Sequence, residues 1–432
     1  MRKLYYISKF IFIIIISISC SIESSKVDIP IPQKGLLETE VVVLDKPAYY
    51  DKVLGALVGS AIGDAMGAST EMWHRSRIQE EYGYINGLKF IKREKSAEGI
   101  WAHNLDSGAT TDDTRWKYFM VKYFTEYGQK LSLNNYSAFI VNYYQENVKS
   151  ISEPMTLNNP DLLDSKMQKV NWIKEWARIA IAYQEGGKRY EEVKNRFYGG
   201  EMSCAGMLYT PMFGLVTDTP VEAYRVAYEH ALFDIGYAKD ISSLVATMTQ
   251  KAIYENDINL VLRNSFLVDP FNYQDSRLIG RISSSIYYDS NDIVNAALAL
   301  PAGDTLQVNK PKKYADSSLE WMRQNYIYGE LEKRQKSIPF HSGEIWQILC
   351  TSLIFGEGEF HKTMKFIVNY GRDNDTVAAV AGMILGAKMG FKNLPKSERD
   401  TVLKVNSEKL GIDFEVLAKE LVDKYYLNII SN

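Results

Sequence analysis

Two segments of the sequence set paired acids beside threonines, directly ahead of a helical pattern. The first is Gly-Ala-Thr-Thr-Asp-Asp-Thr at 108–114, and the second is Gly-Arg-Asp-Asn-Asp-Thr at 371–376. One Ser, Thr or Asp is enough to cap a helix, because its oxygen accepts a hydrogen bond from an unpaired backbone N–H. The two carboxylates in each segment exceed that need, and a cation would relieve their repulsion. Oxygen ligands without a Cys or His cluster favour Mg²⁺, with Mn²⁺ or Ca²⁺ second.

A third group of acids lies in GDAMGASTE, where Asp64 is followed by Glu71. This group ends a segment whose small residues recur every four positions, and a second such segment follows the acids at 371–376. If the two segments are helices packed antiparallel, Glu71 comes close to Asp373 and Asp375. From spacing alone, helix capping with solvated surface acids remains the alternative to a metal site.

The two small-residue segments are expected to be central helices. Residues four apart share one helix face, and each interior Gly costs a helix about 1 kcal/mol relative to Ala, so close backbone packing is expected to compensate. Asp64 interrupts the first segment and Lys388 the second, which favours the core of a soluble bundle over a membrane span. A loose glycine-rich helix is the alternative. The positions concerned are Gly55, Gly59, Gly63 and Gly67 in the first segment, and Ala378, Gly382, Gly386 and Gly390 in the second.

A helical period dominates the rest of the chain, and strand-like alternation is poor. Apolar residues recur at helical spacing from Trp116 to Phe124 and from Ile173 to Ile181. We therefore predict an all-α fold, a compact single-domain helical bundle over residues 47–432. Further helices are predicted at Val221–His230, Ile235–Tyr254, Ser318–Glu330, Gly343–Phe355, Phe360–Asn369, Asp375–Met389 and Phe414–Tyr426.

Composition and charge exclude several classes of protein. The 432 residues are 46% hydrophobic and 24% charged, which excludes wholesale disorder, collagen-like repeats and coiled-coil rods. Fifty Lys and Arg residues against fifty-three Asp and Glu give a net charge of −3 without a long basic block, so no nucleic-acid partner is expected. Cys204 and Cys350 lie in apolar neighbourhoods and are predicted to be buried free thiols, with a disulfide as the alternative.

The N-terminus has the features of an export signal. Basic residues precede an apolar run from Phe10 to Ile16, and small residues lead up to Cys20. We predict a signal peptide of the lipoprotein type at 1–20, lipidation of Cys20, and a flexible tether at 21–46. The protein is then an exported bacterial lipoprotein that touches the membrane through its lipid anchor only. A plain secretory signal with an incidental Cys20 is the alternative.

Four landmarks in order along the chain make a family resemblance visible: GALVGSAIGDAMGASTE, TTDDT, MSCAGMLYTPMFGL and GRDNDTVAAVAGMILGA. The chain resembles the ADP-ribosylglycohydrolase family, which includes the dinitrogenase reductase-activating glycohydrolase and the ADP-ribosyl-acceptor hydrolases. The resemblance implies a helical fold with two Mg²⁺ ions, or Mn²⁺, in a central cleft. It also implies a small-molecule or ADP-ribosylated substrate, whereas the oligomeric state stays open.

The resemblance carries over to named residues. Glu71 matches the family's acidic residue beside the metals, which activates a water or opposes developing positive charge, and Asp113 or Asp375 is the alternative base. The expected function is an exported Mg²⁺-dependent glycohydrolase that cleaves an N- or O-glycosidic bond at ribose. Alternatives are a hydrolase of another nucleoside or glycoside, and a non-catalytic ligand-binding surface protein. The matching metal ligands are Thr111, Asp112, Asp113, Asp373, Asp375 and Thr376.

The sequence departs from the family's Gly-Gly-Asp-Thr-Asp-Thr motif at two positions. Arg372 replaces the second Gly, and Asn374 replaces the inner Thr. Arg372 is predicted to contact a substrate phosphate or to pair with a neighbouring carboxylate. His230 is expected to be structural. The predicted substrate-binding residues at the rim are Arg372, Asn374, Trp101, His103, Tyr209 and Glu344.

Overall fold

Helices make up nearly all of the regular structure. A computed structural model describes residues 44–89, 106–301 and 309–429. The predicted signal peptide, Cys20, Trp101 and His103 lie outside the described residues. The elements, in chain order, are α1 (Lys46–Gly67), β1 (Trp73–His74), α2 (Arg75–Tyr82), α3 (Asp112–Tyr127), α4 (Leu133–Ile151), α5 (Pro154–Leu157), α6 (Pro160–Glu185), α7 (Gly187–Lys194), α8 (Pro220–His230), α9 (Ala238–Tyr254), α10 (Ile258–Ser265), α11 (Ile282–Leu298), α12 (Ser318–Glu332), α13 (Ser342–Phe355), α14 (Phe360–Tyr370), β2 (Gly371–Arg372), α15 (Asn374–Met389), α16 (Lys396–Val405) and α17 (Phe414–Ile429).

The predicted all-α fold is confirmed, and most of the predicted helix bounds agree with the structure within two residues. One prediction was wrong at its start, because α9 begins at Ala238 rather than at Ile235. Gly236 has a φ of +54°, a left-handed conformation that cannot continue a helix. Within the described part of the chain, no helix is long and apolar enough to cross a membrane.

The two glycine-rich helices α1 and α15 pack antiparallel at the centre of the fold. A Cβ on Gly59 would stand 2.3 Å from the carbonyl oxygen of Gly382, and a Cβ on Gly382 would stand 2.1 Å from that of Gly59. Only glycine fits so close an approach. At the end of the contact, a Cβ on Gly67 would lie 2.4 Å from the Cα of Asp375. The end of α1 therefore lies beside the start of α15, as the small-residue spacing predicts.

A two-residue antiparallel ribbon fixes the loop that follows α1. Trp73 pairs with Arg372 and His74 pairs with Gly371. Immediately before the ribbon, the backbone N–H of Met72 donates to the carbonyl of Arg372 at 2.6 Å. The residues just after α1 are thereby bound to the residues just before α15.

Aromatic side chains pack α3 against α6. The Trp116 ring lies 5.1 Å from Trp172 and 4.9 Å from Trp176, both on α6. This contact explains the helical apolar spacing in both segments. Cys204 and Cys350 are buried free thiols, as predicted.

Candidate metal centre

Three carboxylates meet where α1 ends and α15 begins. Glu71, Asp373 and Asp375 each offer an oxygen, and these oxygens all lie within 4.8 Å of one another. Asp373 and Asp375 are buried, whereas Glu71 is partly exposed. The proximity predicted from antiparallel packing is confirmed, and the cluster has Glu71 on its accessible side.

The loop carrying Glu71 is held by side chains of the second acidic segment. The amide nitrogen of Asn374 donates to the hydroxyl of Thr70 at 2.8 Å and to the carbonyl of Val368 at 3.1 Å. The Thr70 hydroxyl also contacts that carbonyl at 3.3 Å. Asn374 is fully buried. It therefore positions the residue next to Glu71 and does not lie at the predicted substrate rim.

The electrostatics of the cluster favour a cation. Burial raises the pKa of Asp373 well above its usual range, and the negative charges of Glu71 and Asp113 raise it further. The thiol of Cys204 lies 3.5 Å from the Oδ2 of Asp373, and burial raises the pKa of this thiol too. Buried carboxylates of one sign are stable only when they are protonated or when a positive charge is brought to them.

The donor set fits a hard divalent cation. Every ligand atom in the cluster is a carboxylate oxygen, which suits Mg²⁺ or Mn²⁺ and does not favour the softer metals that take Cys or His. The two buried acids, Asp373 and Asp375, come from the start of one helix, and the third comes from a loop bound to it. The cluster is thus a candidate metal centre on geometry and chemistry alike.

The first acidic segment is organised around Asp64. The backbone N–H of Thr111 donates to both Asp64 oxygens at 3.1 and 3.0 Å. Thr114 donates to Asp64 through its backbone N–H at 3.0 Å and through its hydroxyl at 2.6 Å. Burial, followed by the charge of Asp113, raises the pKa of Asp64 to about 7. Asp64 therefore anchors the start of α3, a role visible in the sequence only as an acid inside a glycine-rich helix.

Both oxygens of Asp113 are bound by side chains of the protein. Lys117, one helical turn later, donates from Nζ to Oδ1 at 3.0 Å, and Thr376 donates from Oγ1 to Oδ2 at 3.0 Å. The side chains of Lys117 and Asp113 are each only 2% exposed. Asp113 thereby links the two acidic segments. Lys117 was not among the residues predicted from the sequence, although a lysine four residues after an acid on an apolar helix face was a signal for this pair.

The other two residues of the first predicted triplet lie beside Asp113. Thr111 is the N-cap of α3, and its hydroxyl accepts the backbone N–H of Asp113 at 3.3 Å. Asp112 is partly exposed. It is the acid that most strongly raises the pKa of Arg115, against the lowering effect of burial. The structure thus places cationic side chains beside both acids of this triplet.

Two of the predicted rim residues pair with each other. Arg372 and Glu344 form a bidentate ion pair, with Nε to Oε1 at 2.6 Å and Nη2 to Oε2 at 2.9 Å. This is the pairing alternative of the Arg372 prediction. Arg372 has a φ of +65°, in the left-handed region that favours glycine, which accounts for the family's Gly at this position.

Tyr209 and His230 belong to the core. Tyr209 is fully buried, and its hydroxyl donates to the carbonyl of His230 at 2.8 Å, so it does not lie at the predicted rim. The His230 ring contacts the carbonyl of Val226 at 2.7 Å and the hydroxyl of Tyr123 at 3.1 Å. Burial lowers the pKa of His230 to about 4. His230 is structural, as expected.

The fold and the carboxylate cluster define an all-α protein with a candidate site for a divalent metal. The family model for ADP-ribosylglycohydrolase matches residues 45–429, so the chain belongs to this family. A solved structure described as an ADP-ribosylglycohydrolase-related protein complex aligns with a TM-score of 0.50 and 16% identity, covering 88% of this chain and 99% of the other. At that identity the likeness shows the fold alone.

Two curated relatives match short segments. Uncharacterized protein YegU of Escherichia coli (strain K12) is 39% identical over 64 residues, which is 15% of this chain and 18% of the relative. ADP-ribosyl-[dinitrogen reductase] glycohydrolase of Rhodospirillum rubrum is 37% identical over 68 residues, which is 16% of this chain and 20% of the relative. The matches thus span about a fifth of the relatives' own length.

Proposed function

We propose that the protein is a metal-dependent glycohydrolase that cleaves the glycosidic bond at the ribose of an ADP-ribosylated substrate. The carboxylate cluster of Glu71, Asp373 and Asp375 is the observation that carries this proposal. Family membership over residues 45–429 supports the reaction class. The name of the Rhodospirillum rubrum relative supports the ADP-ribosyl substrate.

Asp373 and Asp375 are the residues that would hold the cation. A divalent cation bound there supplies Lewis acidity and orients oxygen ligands. Mg²⁺ is our first candidate and Mn²⁺ our second, because all donors of the cluster are hard oxygens. The resemblance implies two ions.

Glu71 is the best candidate for the general base. In the hydrolysis, a water oxygen bonds to the anomeric carbon as the bond to the leaving group breaks, and one proton leaves the water while another reaches the leaving group. Glu71 lies at the accessible side of the cluster, where a carboxylate oxygen would accept the proton from the water. Asp113, the alternative base, has both oxygens hydrogen-bonded to Lys117 and Thr376. This commitment counts against Asp113 as the base.

The transition state gains positive charge at the sugar ring, and the site is negative. Asp373 and Asp375 lie buried within 4.8 Å of Glu71, where low exposure strengthens their electrostatic effect. These acids would stabilise an oxocarbenium-like transition state as well as the cation.

The activity is tested with two ADP-ribosylated probes, an ADP-ribosyl-arginine and an ADP-ribosyl-serine peptide. Chromatography measures released ADP-ribose with Mg²⁺, with Mn²⁺ and after chelation. We expect release that needs the metal and that Glu71→Gln abolishes, whereas the core substitution His230→Gln should retain it if the variant folds. Metal-independent release, or none from either probe with metal bound, would refute the proposed activity or its ADP-ribosyl substrate, respectively.

We also propose that the protein is exported and anchored through a lipid on Cys20. The basic start, the apolar run from Phe10 to Ile16 and the small residues before Cys20 support this. Metabolic labelling with a radioactive fatty acid should label the wild-type protein but not Cys20→Ser, which should leave the membrane fraction. Equal membrane association of both forms without label would contradict the anchor.

A further inference from the structure

We propose that Lys117 replaces one of the two metal ions that the family resemblance implies, so that the site binds a single divalent cation, held by Asp373 and Asp375 beside Glu71. This inference rests on the proposed function, because it concerns the metal of the same site. It changes the stoichiometry of the site and the role of the first acidic segment.

The ammonium of Lys117 occupies one side of the Asp113 carboxylate. Nζ lies 3.0 Å from Oδ1 of Asp113, and both side chains are 2% exposed. Removing one partner from a salt bridge this buried is strongly destabilising, because the other charge is left buried and uncompensated. A second cation at Oδ1 would meet the positive charge of Lys117 at close range.

The other oxygen of Asp113 is also committed. Thr376 donates its hydroxyl hydrogen to Oδ2 at 3.0 Å. A carboxylate that accepts from an ammonium on one side and from a hydroxyl on the other has its negative charge balanced without a metal. Thr376, matched to the second ligand triplet by the resemblance, therefore serves as a donor to the first segment.

Asp112, the remaining acid of the first segment, has its own cationic neighbour. Burial lowers the pKa of Arg115, and the negative charge of Asp112 is the strongest of the influences that raise it. Arg115 and Lys117 lie two positions apart on α3, and each is associated with one acid of the pair. The first segment therefore carries positive side chains that match its negative ones.

The cluster of Glu71, Asp373 and Asp375 has a different environment. The charges that act most on Asp373, after burial, are those of Glu71 and Asp113, both negative. Arg372, the cationic neighbour in sequence, directs its guanidinium to Glu344. The three carboxylates offer oxygens within 4.8 Å of one another, and this cluster is where a cation from solution would bind.

The number of bound ions tests the proposal directly. The full chain is loaded with Mn²⁺ and desalted, and metal per chain is measured by elemental analysis and by calorimetric titration. Electron paramagnetic resonance then distinguishes an isolated Mn²⁺ from an exchange-coupled pair. We expect one ion per chain with the spectrum of an isolated ion, and loss of binding in Asp375→Asn.

Variants at Lys117 test its role. Lys117→Met removes the charge and keeps much of the side-chain length, and we expect a second ion to bind, so that the stoichiometry rises from one to two. Lys117→Arg keeps the charge and is expected to bind one. If Lys117→Met does not fold, the wild-type stoichiometry and the Lys117→Arg variant still decide the question.

The outcomes separate the two proposals. Two ions in the wild-type protein, or a coupled-pair spectrum, would overturn the substitution of Lys117 for a metal and leave the metal-dependent hydrolase intact. No ion in the wild-type protein would overturn the proposed function itself. A Lys117→Met variant that folds and still binds one ion would contradict the idea that the ammonium excludes the second.

Discussion

The starts of α3 and α15 have the same residue types and different surroundings. At α3, Asp113 accepts from the ammonium of Lys117 and is almost fully buried with it. At α15, Asp373 and Asp375 are grouped with a third acid, Glu71, with ligand oxygens that lie within 4.8 Å of one another. The start of α3 thus contains a buried ion pair, whereas the start of α15 contributes to a cluster of three carboxylates.

The different surroundings of the two helix starts show that an acid pair at a helix start does not by itself define a metal site. At both starts, threonine and aspartate can serve the backbone in the ordinary manner of helix caps. What distinguishes the α15 start is the loop bearing Glu71, which the β1–β2 ribbon binds to it. The partner elements therefore decide which acid pair can take a cation.

The largest expected effect comes from substituting one acid at each start. Asp375→Asn should lower metal-dependent hydrolysis by about a thousandfold, roughly 4 kcal/mol, because it removes a direct ligand. Asp112→Asn, at the other start, should change the rate less than about tenfold. Steady-state rates with saturating Mg²⁺ measure both. Equal losses would show that the two starts share the metal chemistry.

The second-largest expected effect is a loss of stability when a substitution pushes α15 away from α1. Gly67→Ala places a Cβ 2.4 Å from the Cα of Asp375, so the backbone must shift. We expect a loss of about 3 kcal/mol or more in the free energy of unfolding, together with weaker metal binding. Gly329→Ala is the control, because a Cβ there meets nothing within 4 Å inside α12. It should stabilise the protein by about 0.5–1 kcal/mol.

A smaller effect is expected at the ion pair next to the cluster. Arg372→Gly relieves the left-handed backbone but leaves Glu344, 4% exposed, without its guanidinium. We expect a net loss of about 2 kcal/mol in stability by chemical denaturation. The double variant with Glu344→Gln should recover most of it, because Gln still accepts the backbone N–H of Lys336. Neither variant should change the number of bound ions, and a change would mean that Arg372 belongs to the metal site.

The smallest effect is the pH dependence of stability in the metal-free protein. The pKa of Asp64 is raised to about 7 and that of Asp373 well above its usual range. The folded state therefore keeps protons that the unfolded chain has released, so stability falls as the pH rises from about 4 to about 7.

Bound Mg²⁺ should counter this fall, so the difference in Tm with and without Mg²⁺ should grow by a few degrees between about pH 5 and 8. His230, with a pKa lowered to about 4, contributes equally to both series and cancels in their difference. A difference that shrinks as the pH rises would contradict the charge assigned to the cluster.

Much of the fold follows from the sequence, because the apolar periods and the glycine spacing are local signals. The glycine spacing predicted close backbone packing of α1 and α15, which the contact of Gly59 with Gly382 confirms. Spacing did not fix the direction of packing, and the antiparallel arrangement that brings Glu71 near Asp375 was a condition of the prediction. The bounds of the predicted α15 differ from the structure by a single residue at its start. The rule that residues four apart share a helix face was sufficient here.

The ion pairs around the site could not be predicted from the sequence. That Lys117 points to Asp113 depends on which face of α3 is buried, and that Arg372 pairs with Glu344 depends on how α13 packs. The burial of Tyr209 likewise depends on the aromatic contacts of Trp116. These are properties of tertiary packing, and spacing along one segment does not contain them.

The most direct measurement of the contrast between the two starts is an anomalous diffraction map of crystals soaked in Mn²⁺. The account predicts a single strong peak bounded by the carboxylates of Glu71, Asp373 and Asp375, with the ammonium of Lys117 still on Asp113. A peak at Asp112 and Asp113, with Lys117 displaced, or no peak at the cluster, would contradict it.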